Sequence, residues 1–129
     1  MTLAMSWDEW AAHDATALAA RVRAGELTPT ELAVQAQAAI AKTNPALAAV
    51  VEVFDDVVAD PLADGMNPAG PFAGAPYLMK DLGPTLKGRL QEMGSLLMQG
   101  HRATADSHLT GRIRAAGLNI IGRTTTPEF

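Results

Sequence analysis

Cysteine is absent from this sequence. That excludes disulfide staples and thiolate zinc sites and fits a reducing compartment. A basic surplus is also missing. The formal charge is -4 and the pI near 5.2, so there is no cationic stripe to displace counterions from nucleic-acid phosphates. The densest basic grouping is Arg112, Arg114 and Arg123. No apolar run is long enough to span a bilayer: the longest, Leu47 to Phe54, is already broken by Glu52. Asp8 and Glu9 stand where a secretion signal needs positive charge. These absences predict a soluble, cytoplasmic protein with neither nucleic-acid nor membrane partners. No internal repeat or low-complexity tract interrupts it.

What is present is ordinary globular material in one domain's length of 129 residues. Hydrophobic residues make up 48%, charged residues 19%, and mean hydropathy is +0.07, too apolar for a disordered tail. Residues 6–45 read as a helical region. Ser6 and Glu9 have capping-box spacing, with Trp7 and Trp10 on one face. A second helix is predicted from Asp14 to Ala24, stopped by Gly25, with Leu18 and Val22 one turn apart. Thr28-Pro29-Thr30-Glu31 starts a third, with Leu32, Ala36 and Ile40 as its buried stripe and Thr43-Asn44-Pro45 as its end.

Residues 46–129 read as an α/β region. Ala48 to Phe54 turns β-branched and predicts a strand. Between positions 61 and 100 lie seven of the 11 glycines and five of the 8 prolines, a region of loops and turns. Within it the short apolar run Pro76 to Met79 stops at Lys80-Asp81. Asp106 is expected to cap a helix through Ala116 that buries Leu109, Ile113 and Ala116, with Gly117 as its stop. Leu118 to Ile121 follows as a buried strand. Strand, helix, strand in that order predicts a parallel pair.

Lys80 is the residue that asks for chemistry. A lysine directly after an apolar strand sits where α/β sheets place active sites, at the strand's carboxyl end. Taken by itself it reads more readily as a surface lysine snorkelling from a strand end. Asp81 either pairs with a cation or caps the next turn. Ser95, after Met93-Gly94, is placed in a turn that could aim its hydroxyl at Lys80 as a simple dyad, though nothing supplies an oxyanion hole. The only other serines are Ser6 and Ser107, and Ser107 reads as a first-turn helix residue. His13, His101 and His108 show no metal-ligand pairing.

The segments Gly74-Ala75-Pro76-Tyr77-Leu78-Met79-Lys80-Asp81-Leu82, Asp106 to Leu109, Arg112 to Gly117, Ile120 to Thr124 and Thr126-Pro127-Glu128-Phe129 fall in one order and spacing. Together they resemble the amidase signature family, from about Asp14 to Phe129. The Pro76-to-Lys80 block is most similar to that of enzymes acting on linear or cyclic amides of amino acids, including 6-aminohexanoate-cyclic-dimer-hydrolase-like amidases. Two positions depart from the family pattern: Arg123 stands where lysine is common, and Thr125 where asparagine is.

The resemblance implies hydrolysis of a carboxamide C–N bond without cofactor or metal. Lys80 would be the general base, and Gly94 and Ser95 would line the pocket. A lysine base must be desolvated to be neutral near pH 7. It would then draw a proton through a bridging serine from a nucleophilic serine, and backbone N–H groups would stabilise the oxyanion. The family carries both serines in a Gly-Gly-Ser-Ser-Gly-Gly segment, and this sequence contains neither Gly-Gly nor Ser-Ser. The expectation is therefore a single partial domain, residues 1–129, with N-terminal helices packed on the first strands of a mixed sheet. It would be inactive alone and completed by a second polypeptide, as a truncation, half of a split enzyme or a remnant. The rival expectation is a small non-catalytic binding protein reusing this fold. Lys80 is expected in a recess whose wall includes Ser95. Unpaired strand edges predict self-association; light scattering showing a stable, dye-silent monomer at high concentration would count against it.

Overall fold

The computed structural model describes residues 2–129. Helix α1 (Trp7–Ala12) begins at the expected capping box: the Ser6 hydroxyl accepts from Glu9 N–H while the Glu9 carboxylate accepts from Ser6 N–H. Helix α2 (Ala15–Arg23) is capped by Asp14, and the chain turns out of it at Gly25 with φ +74°. Helix α3 (Pro29–Leu47) starts at the Thr28/Glu31 capping box with Pro29 in its first turn. A cap of this kind contributes about 1 kcal/mol.

The helix does not stop at Asn44-Pro45 as expected; Pro45 lies inside its last turn. The Asn44 side chain explains this. It accepts from Ala49 N–H and Val50 N–H and donates to Val50 carbonyl, so the turn is closed after Ala48, which adopts φ 49°. Strand β1 (Val50–Val53) and a short helix, α4 (Asp55–Ala59), follow.

Strand β2 (Pro76–Lys80) leads through loops to helix α5 (His108–Ala115) and strand β3 (Asn119–Thr124). The sheet order is β1-β3-β2, with β1 antiparallel and β2 parallel to β3. The expected mixed sheet and the parallel pair joined through a helix are both present. The start of α5 needs correction: Ser107, not Asp106, is its N-cap, accepting from Thr110 N–H. Asp106 instead accepts from Lys87 N–H and pairs with Arg114 at 2.5 Å. The buried face is Thr110 and Ile113, and Leu109 is exposed. Thr110 satisfies its hydroxyl on the Thr85 carbonyl, so a polar residue takes the position the pattern assigned to leucine.

Helices α3 and α4 pack on each other and on the sheet. Their core joins Ala33, Ala36, Phe54, Val57, Met79 and Ile121. Full burial of a valine, leucine or phenylalanine contributes about 1.5–3 kcal/mol each. A second cluster, Met5, Leu18, Leu27 and Leu32, ties the first helices to α3. Buried Gln35 secures it by exchanging hydrogen bonds with the Met5 N–H and carbonyl, both at 3.2 Å. Ion pairs Asp56–Arg89 and Arg114–Asp106 tie the segment between β2 and α5 to α4 and to α5, and Asp64–Arg114 ties the segment between α4 and β2 to α5. Among the described residues no helix is long and apolar enough to cross a membrane.

Candidate functional site

Side chains alternate along a strand, and at the carboxyl end of β2 that alternation decides the site. Met79 points into the core, Lys80 is exposed, and Asp81, just past the strand, is buried. Lys80 thus stands at the strand end as expected, beside Thr124 in the parallel register. The expected shared recess is not formed. Gly94 and Ser95 line a cleft of about 310 Å³ with Asp81, Glu92 and Arg123, and Lys80 is not among its lining residues. Because Asp81 turns inward to a buried cation, the neighbouring Lys80 turns outward.

That cation is Arg123. Only 6% exposed, it sits on the central strand and reaches three carboxylates from three separate segments. Its Nε meets Glu52 of β1 at 2.6 Å, Nη1 meets Asp81 at 2.7 Å, and Nη2 meets Glu92 at 2.8 Å. Glu92 N–H donates in turn to the Asp81 carboxylate at 3.2 Å, and the Glu92 carboxylate accepts from Gly100 N–H at 2.8 Å. The sequence offered one signal for this hub, the arginine at a position where lysine is usual. Nothing local revealed that its partners lie 31, 42 and 71 residues away. The basic grouping of Arg112, Arg114 and Arg123 is no cationic patch, since Arg114 and Arg123 are neutralised by acids.

Ser95 is the N-cap of a short 3-10 turn (Leu96–Met98): its hydroxyl oxygen accepts from Leu97 N–H. The hydroxyl donates to the Glu128 carboxylate at 2.7 Å, so it is directed at the segment after β3 rather than at Lys80. Phe129 N–H donates to the Met93 carbonyl, so the segment from Thr126 to Phe129 is held against the Met93–Ser95 turn. Thr125 extends the contact with β1, its N–H donating to Ala49 carbonyl at 2.9 Å.

The acids of this cluster respond to pH in opposite senses. Hydrogen bonding from Gly100 N–H, then from Arg123, holds the Glu92 carboxyl below its ordinary 4.5. Its contribution to stability is therefore complete above pH 4.5 and lost as the pH falls through the lower folded value. Burial, the largest influence on Asp81, pushes its carboxyl up from 3.8 against the pull of Arg123. Its contribution is fully present below pH 3.8 and lost as the pH rises through the folded value. Glu92→Gln is expected to flatten the acid limb of the stability curve. Urea midpoints between about pH 3 and pH 6 measure this, and an unchanged acid limb would refute it.

The family profile described as Amidase matches residues 31–129. A 6-aminohexanoate-cyclic-dimer hydrolase of Paenarthrobacter ureafaciens is 36% identical over 125 residues, which is 95% of this chain and 24% of that protein. A lipoamidase of Enterococcus faecalis is 32% identical over 87% of this chain and 15% of its own length. Among solved structures, a 6-aminohexanoate cyclic dimer hydrolase superposes with a TM-score of 0.79 at 37% identity, covering 90% of this chain and 24% of that one. The peptide amidase of Stenotrophomonas maltophilia gives 0.75 at 34% identity over 92% and 26%. The chain spans about a quarter of the length of these relatives, and less of the lipoamidase.

Proposed function

This chain belongs to the amidase family, and we propose that it supplies the lysine-bearing part of a site that hydrolyses carboxamide C–N bonds. Lys80 is the general base, and Gly94 and Ser95 line the substrate pocket. The observation that carries this reading is the position of Lys80: the carboxyl end of a strand in a parallel pair, within the matched family region. The substrate class is a small linear or cyclic amide of an amino acid, by analogy with the cyclic-dimer hydrolases.

A lysine amine works as a base near neutral pH only after removal from water, and Lys80 is exposed in this chain. The serines of the resembling family's mechanism have no counterpart here, since Ser95 is committed to Glu128 and Leu97. We therefore place the desolvating surface, the serines and the oxyanion donors on a further polypeptide segment. Base, nucleophile and oxyanion donors act as a unit. General-base catalysis by a lone amine accelerates proton transfer by only about 10²–10⁴-fold.

The test is to assay the purified chain on anilides and on linear and cyclic amino-acid amides, with and without a co-expressed segment carrying Gly-Gly-Ser-Ser-Gly-Gly. Hydrolysis is expected only from the pair. Activity from the single chain that disappears in both Ser95→Ala and Lys80→Ala would overturn this reading in favour of an internal dyad. Failure of every such pairing would favour the non-catalytic binding protein.

A further inference from the structure

The turn that presents Gly94 and Ser95 belongs to no strand, so sheet pairing does not set its position relative to Lys80. Besides the Thr126–Phe129 segment packed on it and the Gln91 amide donating to the Pro84 carbonyl, its ties to the end of β2 run through two acids. Asp81, covalently next to Lys80, accepts from Glu92 N–H. Glu92, two residues before Gly94, pairs with the guanidinium that also holds Asp81. Glu92 also closes the far end of the same turn on Gly100 N–H. The third arm, to Glu52, anchors the cluster to β1 on the opposite edge of the sheet.

We infer that Arg123 is a positioning residue: by holding Glu52, Asp81 and Glu92 on one buried guanidinium, it fixes the Lys80 end of β2 relative to the Gly94–Ser95 turn. The inference rests on the reading of Lys80 as the base. The chemistry suits the task. Guanidinium is a rigid planar fork, and each of its three nitrogens here meets a different carboxylate, so one shared cation orients three segments. Without it, three acids would face one another with no cation among them, and Asp81 and Glu92 would part. Lysine at this position carries the charge but offers a single donor atom, so it replaces the cation and only part of the geometry.

Backbone amide exchange on the chain tests this directly. Arg123→Met is expected to speed exchange at Glu92, Ser95, Leu97 and Gly100 by about tenfold or more, with α3 and α5 amides unchanged and Arg123→Lys intermediate. Unaltered exchange through this turn would overturn the proposal. If Arg123→Met loosens the whole chain, the single-arm variant Glu92→Gln decides: faster exchange confined to residues 92–100 supports the clamp, whereas uniform loosening overturns it. In the completed enzyme, Arg123→Met is expected to lower kcat by about 100-fold while KM stays within about threefold, since misplacement of a base by about 1 Å costs that much. A change in KM alone would refute positioning. Absence of activity from every assembled pair would sink the function proposed above, and the exchange result would still stand or fall by itself.

Discussion

Lys80→Ala is expected to abolish amide hydrolysis by the completed enzyme, lowering kcat by about 10⁴-fold or more while leaving the fold intact. The size follows from Lys80 being proposed as the general base of a nucleophile–base unit, where loss of one member removes nearly the whole advantage. The separability follows from the structure. Lys80 is exposed and, among the described residues, takes part in no ion pair, so its truncation should change the stability of this chain by itself by no more than about 0.5 kcal/mol. Lys80→Arg should be equally inactive, because guanidinium does not deprotonate near neutral pH. Lys87→Ala provides the control, since that exposed lysine contributes only its backbone N–H, to Asp106. Rates and urea midpoints measured together settle the matter: a Lys80→Ala enzyme within tenfold of the parent would remove Lys80 from the mechanism.

The second large effect is predicted at Gly94. Its φ is +66°, and a Cβ there would lie 2.6 Å from the Thr126 carbonyl oxygen and 2.9 Å from that of Pro127. Gly94→Val therefore meets two penalties. The left-handed backbone conformation costs a side-chain-bearing residue about 1–2 kcal/mol, and forcing atoms into filled space adds about 1–3 kcal/mol. Backbone cannot swing aside as a flexible side chain would, so the segment from Thr126 to Phe129 should leave the turn. Gly100→Ala isolates the first penalty: its φ is +81°, with nothing within 4 Å of the added carbon. The expected outcome is a loss of about 2–5 kcal/mol for Gly94→Val against about 1–2 kcal/mol for Gly100→Ala. Exchange of the Phe129 amide, bonded to Met93 carbonyl, should accelerate only in the former. Equal losses in the two variants would mean that the packed C-terminal segment contributes nothing.

How far these features could be read without coordinates depended on the range of the interactions behind them. Ser6, Asp14 and Thr28 act on residues three positions away, so the helix starts were visible in a few neighbouring letters. The end of α3 was misjudged because Asn44 reaches forward to Val50 and carries the helix past a proline. The cap of α5 was misassigned between two adjacent polar residues, Asp106 and Ser107. Which one caps was decided at a distance: the Lys87 N–H and Arg114 occupy the two oxygens of the Asp106 carboxylate, leaving the cap to Ser107. Helix α4 went unread because five residues hold too little periodicity to register.

The amino-acid sequence by itself therefore determined the helical first third, the strand that ends at Lys80, the parallel pairing of β2 with β3 and the family of the chain. All of these rest on local spacing or on ordered motifs. Only the tertiary structure decided that Lys80 faces outward while Asp81 faces the cleft, and that the Ser95 hydroxyl donates its hydrogen bond to Glu128. It alone turned Arg123 from a departure at one position into the junction of three acids. The physical reason is shared. A capping bond is drawn between groups the chain already holds close, whereas a buried charge must find its partners wherever the fold brings them, and desolvation penalises any arrangement that leaves it alone.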